Sequence, residues 1–165
     1  MGEIGRHRLV TTTPSDTEIV MTRVFDAPRE LVFEAHTSCE HLTKWWGPRE
    51  YETVGCEVDF RPGGSWRVTH RRPSDGEEIT FFGEYLEIVP PERIVWTFGF
   101  NDNPGGPETY TFEEHDGKTT ITSSAVFPSK EIRDQVIATG MEDGAGETYE
   151  RLDEYLEVLK QPASK

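Results

Sequence analysis

Cysteine is scarce in this 165-residue chain, and long apolar runs are absent. Cys39 and Cys56 form neither a CxxC pair nor a disulfide framework, so we expect two reduced thiols. No stretch approaches the ~20 apolar residues that cross a bilayer. The segment MGEIGRHRLV has no apolar signal region. The sequence therefore predicts a cytoplasmic protein without membrane insertion.

Positive charge is also in short supply. Lys and Arg total 17 against 31 Asp and Glu, which gives a net charge of −14. Such a chain is repelled by phosphate backbones and anionic lipid surfaces, so nucleic acid is not expected as a partner. Hydrophobic residues make up only 34%, but an aromatic share of 11% argues against disorder.

The common catalytic and metal-binding motifs are missing. The chain has no GxSxG, P-loop or GxGxxG motif, and no cluster with zinc-ligand spacing. His36 and His41 are five residues apart, which puts them on different faces of a helix. We therefore expect no metal and no cofactor, and the sequence does not decide whether the protein is an enzyme.

The order of predicted elements indicates one domain at 17–161 after a flexible N-terminal arm at 1–16. A strand is predicted at 18–25, and two short helices follow at 28–36 and about 39–44. Strands are predicted between 50 and 127, with a tight hairpin turn at Asp116-Gly117. One long amphipathic helix is predicted at about 129–160.

This order predicts an α+β protein with a strongly bent antiparallel sheet and a long C-terminal helix. The apolar face of the sheet needs a cover, and only the C-terminal helix is long enough to supply it. A bent sheet that grips one helix leaves space between the two. That space is a candidate ligand cavity.

Strand alternation assigns many large aromatic side chains to the concave face of the sheet. Trp66, Val68 and His70 share one face of their strand, as do Trp96 and Phe98 of another. A small molecule held among these rings is one interpretation, and an ordinary filled core is the other. The full predicted ligand-binding set is Trp45, Trp46, Trp66, Val68, His70, Phe82, Trp96, Phe98, Tyr110, Phe112, Met141 and Gly144.

Two further elements are predicted to close the cavity. In the turn KWWGP at 44–48, we expect Trp46 in the core and Trp45 at the rim. On the C-terminal helix, the spacing of Met141 and Gly144 turns both toward the sheet. Gly144 either leaves room for a ligand or lets the helix pack closely against an aromatic ring.

Three polar residues are candidates for acid–base chemistry. His70 and Glu84 are predicted on adjacent strands, where they could form an acid–base pair, and Tyr110 is the third candidate. A structural or solvated role is the alternative for each. The region around Glu84 is hard to assign, because Tyr85, Leu86 and Ile88 break the alternation and suggest a β-bulge.

Several motifs, spread over residues 20–160, resemble one known family. They are RVFDAPRELVFEAHT (23–37), KWWGP (44–48), DFRPGGSWR (59–67), GEYLEIVPPERIVWTF (83–98) and GMEDGAGETYERLDEYL (140–156). They are similar to proteins related to the C-terminal domain of the activator of the Hsp90 ATPase. That family lies within the START-like, or SRPBCC, superfamily, which includes Bet v 1-type allergens and polyketide aromatase/cyclases.

The resemblance implies the helix-grip fold with a deep apolar cavity, but it does not imply one function. Binding of a small apolar or aromatic molecule is the leading hypothesis. A cyclase/aromatase-type enzyme and a chaperone co-factor or other interaction module are the alternatives, and a homodimer is possible.

Two departures from the family's pattern bear on these hypotheses. The polar arm at 1–16 does not replace the chaperone-engaging N-terminal domain of the eukaryotic activator, so a chaperone partner is the weaker expectation. Similar proteins often carry an apolar residue where His70 stands and Trp where His36 stands. A polar His70 facing the cavity would make the site more selective.

Overall fold

The structure, a computed structural model, describes residues 9–47, 49–101 and 105–160, except for the side chain of Met141. The elements in chain order are β1 (Val10–Thr12), β2 (Glu18–Phe25), α1 (Arg29–Glu34), α2 (Cys39–Trp45), β3 (Glu52–Val58), β4 (Ser65–Arg71), β5 (Glu78–Val89), β6 (Arg93–Thr97), β7 (Gly99–Phe100), β8 (Pro107–His115), β9 (Lys118–Val126), α3 (Lys130–Ala138) and α4 (Met141–Lys160). The predicted α+β class is confirmed. No helix of the described residues is long and apolar enough to cross a membrane.

All the strand pairs are antiparallel and form one curved sheet in the order β1-β2-β9-β8-β6-β5-β4-β3, with β7 added beside β5. The twelve-residue strand β5 joins the two halves of this sheet. Its first part pairs with β4 and β7, and its last part pairs with β6. The register shifts between Tyr85 and Glu87, which is the bulge that the broken alternation predicted.

Short turns fix the register of the meander. His115 lies opposite Lys118, and the two residues between them, Asp116 and Gly117, have φ angles of 55° and 77°. Two successive positive φ angles are the geometry of a tight hairpin turn, so the hairpin predicted from Asp-Gly is confirmed.

The single C-terminal helix predicted at 129–160 is two helices. Ser129 begins α3 by accepting a hydrogen bond from the backbone N–H of Ile132 at 3.1 Å. Gly140 then takes a φ of +82°, which interrupts the helical path, and α4 starts at the next residue. The apolar spacing continues through this break, so periodicity alone did not show it. Tyr149, Leu152 and Leu156 are the buried residues of α4.

The predicted N-terminal arm contains an edge strand. Val10–Thr12 forms β1, which pairs with Val20–Thr22 of β2. Residues 1–8 lie outside the described residues. A strand of three residues buries little apolar area. It is therefore held by its backbone pairing with β2, and no hydrophobic pattern of its own predicts it.

The prediction of two reduced thiols is wrong. A disulfide bond joins Cys39, the first residue of α2, to Cys56 in β3. Their Cα atoms are 5.8 Å apart, inside the usual span for this bond. The disulfide bond depends on α2 folding back against β3. The separation of 17 residues between the two cysteines does not predict that contact.

Trp45, the last residue of α2, and Trp46, the residue after it, are both buried, so the prediction of Trp45 at the rim is wrong. Trp45 has no exposed surface, and its indole N–H donates to the carbonyl oxygen of Ala35 at 2.9 Å. Trp46 is buried as well, with an exposed fraction of 8%. The two rings meet edge to face with centroids 5.3 Å apart. The α1–α2 pair and the turn therefore share one core with the sheet.

We predict that Trp45→Ala lowers the free energy of unfolding by about 3–5 kcal/mol, because it empties a buried site and removes a hydrogen bond. Denaturant titration measures this loss. Leu86→Ala is the control and should stay within about 0.5 kcal/mol of the wild type, because Leu86 is exposed on β5. Equal effects of the two substitutions would contradict the assignment of Trp45 to the core.

Candidate functional site

Trp46 is the centre of an aromatic cluster on the concave face. Its ring lies 6.1 Å from Trp66 of β4, 6.1 Å from Phe81 of β5 and 6.2 Å from Trp96 of β6, measured between centroids. It also stacks on Phe98 at 5.7 Å with an interplanar angle of 21°. One side chain from the turn after α2 therefore contacts the strands of both halves of the sheet.

The register puts most of the predicted ligand-binding residues on this face. In β4, Trp66, Val68 and His70 are buried and alternate with half-buried or exposed neighbours. Phe98 is half-buried between β6 and β7 and packs against the core. The predicted residues that the structure brings together here are Trp45, Trp46, Trp66, Val68, His70, Trp96, Phe98, Tyr110 and Phe112. Their role in ligand binding stays a prediction.

Phe82 and Glu84 lie on the opposite face, which corrects their assignment to the site. Phe82 is the cross-strand partner of the exposed Arg67, and the Arg67 guanidinium lies 5.9 Å from its ring centroid. Glu84 pairs with Ser65 and is exposed. The proposed acid–base pair of His70 and Glu84 does not form, because the two side chains leave their strands on opposite sides of the sheet.

His70 is a neutral side chain fixed between β3 and the turn after α2. Its Nδ1 lies 3.1 Å from the hydroxyl oxygen of Thr53. Burial, together with the positive charge of Arg151, lowers the pKa of His70 to about 4. Its Nε2 atom is buried and has no hydrogen-bond partner. At neutral pH the ring is therefore uncharged and has one polar atom unsatisfied.

His36 is a second neutral histidine, placed below the aromatic cluster. Its Nδ1 bonds the Val32 carbonyl oxygen at 2.9 Å, so the ring carries the proton on Nδ1 and Nε2 is an acceptor. Burial lowers the pKa of His36 to about 4, against the opposing effect of that hydrogen bond. Its ring packs edge to face on Trp45 and Phe112, with centroids 4.9 and 5.2 Å away. The Nε2 atom has no partner.

Tyr110 connects the sheet to α4. Its phenol group lies close enough to that of Tyr149 of α4 for each to affect the pKa of the other, and Ser123 of β9 also acts on Tyr149. Burial raises the pKa of Tyr110 well above its usual value, and the nearby Tyr149 and Glu108 add to the rise. Tyr110 is therefore a neutral hydrogen-bonding group, as a phenol with a raised pKa does not act as a base near neutral pH.

Arg151 of α4 holds the tryptophan-bearing turn against the helix. Its guanidinium donates to the carbonyl oxygens of Gly47 at 2.8 Å, Trp46 at 3.4 Å and Lys44 at 3.4 Å. These carbonyls lie at the C-terminal end of α2, where a cation is favoured by the helix dipole. The position of Trp46 over the concave face therefore depends on α4 as well as on the sheet.

Four residues of the concave face were missed by the sequence analysis. They are Phe81 and Tyr85 of β5, Glu108 of β8 and Tyr149 of α4. The alternation of Ile79, Phe81, Gly83 and Tyr85 before the bulge was a usable signal for the first two. Extending the alternation of Tyr110 and Phe112 one step back would have placed Glu108 on the same face.

The N-terminal half of α4 stands away from its neighbours. A Cβ atom built on Gly144 meets no atom of the described residues within 4 Å. Close packing of the helix on an aromatic ring therefore does not explain this glycine. Ala145 is only half-buried, although Tyr149, one turn later on the same helix face, is buried. The other predicted helix residue, Met141, has a side chain outside the described residues.

Several buried polar atoms of the interior have no hydrogen-bond partner within the part of the chain that the structure describes. Besides the two histidine Nε2 atoms, they include the Trp96 indole N–H and the Tyr85 hydroxyl. Trp96 has no exposed surface and lies among the rings of Trp66, Tyr85, Phe98 and Tyr110 at 4.9–5.7 Å. Buried polar groups are nearly always paired, so this concentration of unpaired atoms suits a bound polar group.

Two grooves on the outside of α4 have a different character. One, of about 490 Å³, is lined by Leu9, Gly146 and the carboxylates of Glu142, Asp143, Glu147 and Glu150. The other, of about 400 Å³, is lined by Arg23 and by Glu150, Asp153, Glu154 and Glu157. Neither includes a residue of the aromatic cluster. Within the described parts of the chain, no group of three or more His, Cys, Asp or Glu is arranged to hold a metal ion.

A bent antiparallel sheet around a C-terminal helix, with an aromatic concave face, defines the helix-grip class of START-like proteins. The family model described as activator of Hsp90 ATPase homolog 1-like protein matches residues 26–157. The chain therefore belongs to this family, as its sequence motifs indicated. No curated protein sequence is similar enough to count as a match.

Solved structures agree with this assignment. A Rhodobacter sphaeroides protein is 25% identical, with a TM-score of 0.83 over 92% of this chain and 99% of that one. A Mycobacterium smegmatis protein is 29% identical, with a TM-score of 0.82 over the same two shares. An AHSA1 protein from Silicibacter pomeroyi is 20% identical, with a TM-score of 0.68 over 86% of this chain and 98% of that one, and it shows the shared fold.

We predict that Gly47→Ala destabilises the protein more than Gly76→Ala does. Both glycines have positive φ angles, +102° and +80°, so each substitution costs about 1–2 kcal/mol of backbone strain. A Cβ on Gly47 would also lie 2.7–3.0 Å from the His70 ring, whereas one on Gly76 meets nothing within 4 Å. Denaturant titration should give an additional loss of about 1–3 kcal/mol for Gly47→Ala. Equal losses would show that His70 does not pack on this turn.

We predict that acidification destabilises the protein between pH 6.5 and pH 4. His36 and His70 have folded-state pKa values near 4, so over this range the unfolded chain binds protons that the folded chain excludes. Their contribution is present above pH 6.5 and is lost toward pH 4, on the order of 3 kcal/mol for the fully buried His36. Denaturant titrations at a series of pH values should show a shallower slope for His36→Phe. An unchanged slope in that variant would contradict the assignment.

Proposed function

We propose that this protein binds a small hydrophobic or aromatic molecule on the concave face of its sheet, below the N-terminal half of α4. The observation that carries the proposal is the indole N–H of Trp96, which is buried among aromatic rings without a partner. Leaving such a donor unpaired costs about 1–3 kcal/mol. A ligand with an apolar body and a hydrogen-bond acceptor would remove that cost.

The open position at Gly144 supports this location. The helix is fixed farther along by Tyr149, Leu152 and Leu156, all buried, but no side chain of the described residues comes within 4 Å of a Cβ built on Gly144. Phe98 and Trp46 keep part of their surface exposed, unlike Trp96 behind them. A ligand that entered at this end would meet these two rings first and the Trp96 N–H behind them.

The enzymatic alternative lacks its acid–base pair in this arrangement. Glu84 lies on the outer face, and His70 is a neutral ring already bonded to Thr53. Burial raises the pKa of Tyr110 well above its usual value, so its phenol group stays neutral. The geometry thus favours holding a molecule over transferring its protons, and we propose binding as the function.

The test uses N-phenylnaphthylamine, an uncharged dye whose emission rises in apolar surroundings. We predict that the wild type binds it and that Gly144→Leu weakens binding at least tenfold, because the new side chain occupies the open space. The melting temperature of this variant should stay equal or rise, since replacing a helical glycine regains most of ~1 kcal/mol of helix propensity. Fluorescence titration and thermal melts give the two readouts.

Gly146→Leu is the matched control. Gly146 also has no atom within 4 Å of a built Cβ, but it lines the outer groove of α4. This variant should gain the same helix propensity and bind the dye as the wild type does. Absence of dye binding to the wild type, or equal binding by all three proteins, would overturn the proposed function.

A further inference from the structure

The carboxyl group of Glu108 is directed to the concave face and has no role in the binding function proposed above. It lies in β8 directly opposite Trp96 of β6 and Ala125 of β9, both of which point inward and are buried. The cross-strand partners of an antiparallel sheet share a face, so the Glu108 side chain is directed to the same side as the aromatic cluster. It is half-buried, and the residues just before it, 105–107, are exposed. Glu108 therefore lies where the cluster meets solvent.

Nothing in the described part of the chain neutralises this carboxyl group. No Lys, Arg or His there forms an ion pair with it, and no hydrogen bond to its oxygens is present among the described residues. Burial alone raises the pKa of Glu108 to about 7, although part of the residue remains exposed. The titratable groups that face it are Tyr110 of its own strand and Tyr149 of α4, both neutral phenols.

The chemistry around Glu108 selects the charge of a ligand. A carboxylate that lacks a countercharge gains most from an ammonium group, with which it forms a charge-assisted hydrogen bond. The faces of the neighbouring aromatic rings also attract cations. An anionic ligand would meet this carboxylate and a chain of net charge −14.

We propose that Glu108 is the polar end of the ligand site and that the ligand is an aromatic or apolar amine, its ammonium group bound to Glu108 and its body among the rings of Trp96, Phe98 and Trp46. This assignment rests on the proposed function, since it needs the concave face to be open to a ligand. The assignment of Glu108 specifies a class of ligand, aromatic or apolar amines, that the fold and the family do not define.

The test compares three probes of similar shape: phenethylamine, propylbenzene and 3-phenylpropionate. Calorimetric titration at pH 8 should show that the wild type binds phenethylamine at least tenfold more tightly than propylbenzene and does not bind the acid. The preference should fall roughly tenfold between pH 8 and pH 6, because Glu108 takes up a proton in this range while the amine stays charged.

Glu108→Gln should bring the ratio of the phenethylamine and propylbenzene affinities close to one and make it independent of pH. Glu113→Gln is the matched control, because Glu113 is an exposed residue of the same strand. It should keep the wild-type ratio and its pH dependence.

The outcomes separate the two proposals. Binding of propylbenzene without preference for the amine, or a preference that survives in Glu108→Gln, would overturn the role of Glu108 and leave the proposed function standing. Binding of none of the probes and no binding of the dye would overturn both.

Discussion

The turn after α2 connects the sheet, the α1–α2 pair and α4. It does so through the side chain of Trp46 and through backbone carbonyl oxygens that the Arg151 guanidinium binds. Trp46 touches aromatic rings from β4, β5 and β6, and Arg151 of α4 binds the carbonyl oxygens of Trp46 and Gly47. Each attachment needs the others. Without the helix the turn loses its donors, and without Trp46 the concave face of the sheet loses the ring that fills its centre. The same turn fixes the His70 ring against Gly47.

The interior that results is aromatic and also polar, which is unusual for a filled core. The Nε2 atoms of His36 and His70, the Trp96 indole N–H and the Tyr85 hydroxyl are buried without a hydrogen-bond partner among the described residues. Desolvation keeps both histidines neutral and favours the protonated form of Glu108. These groups reduce stability as they stand, because each gives up hydrogen bonds to water. A small molecule that supplied those bonds would recover part of the loss, which is the physical basis of the binding proposal.

The family motifs KWWGP and GEYLEIVPPERIVWTF contain three aromatic residues of the proposed site, Trp46, Trp96 and Phe98. The family model matches residues 26–157, and the related structures share the fold. The ligand class is argued from Glu108, which none of the family motifs contains. A shared helix-grip fold accommodates carriers, enzymes and interaction modules, so the chemistry of the individual site has to decide among them.

The sequence by itself determined the fold class, the strand faces and the turns, because each depends on residues near one another in the chain. Alternation put Trp66 and Trp96 inside, and Asp116-Gly117 defined its hairpin. Only the tertiary structure decided what depends on distant segments: the disulfide between Cys39 and Cys56 and the burial of Trp45. The outward direction of Phe82 and Glu84 follows from the alternation of β5 before the bulge, and the register shift after Tyr85 obscured that pattern in the sequence. Glu108 belongs to both groups. The alternation along β8 predicts the face of the sheet on which Glu108 lies. Its lack of a countercharge depends on the neighbouring strands and α4, so only the tertiary structure shows it.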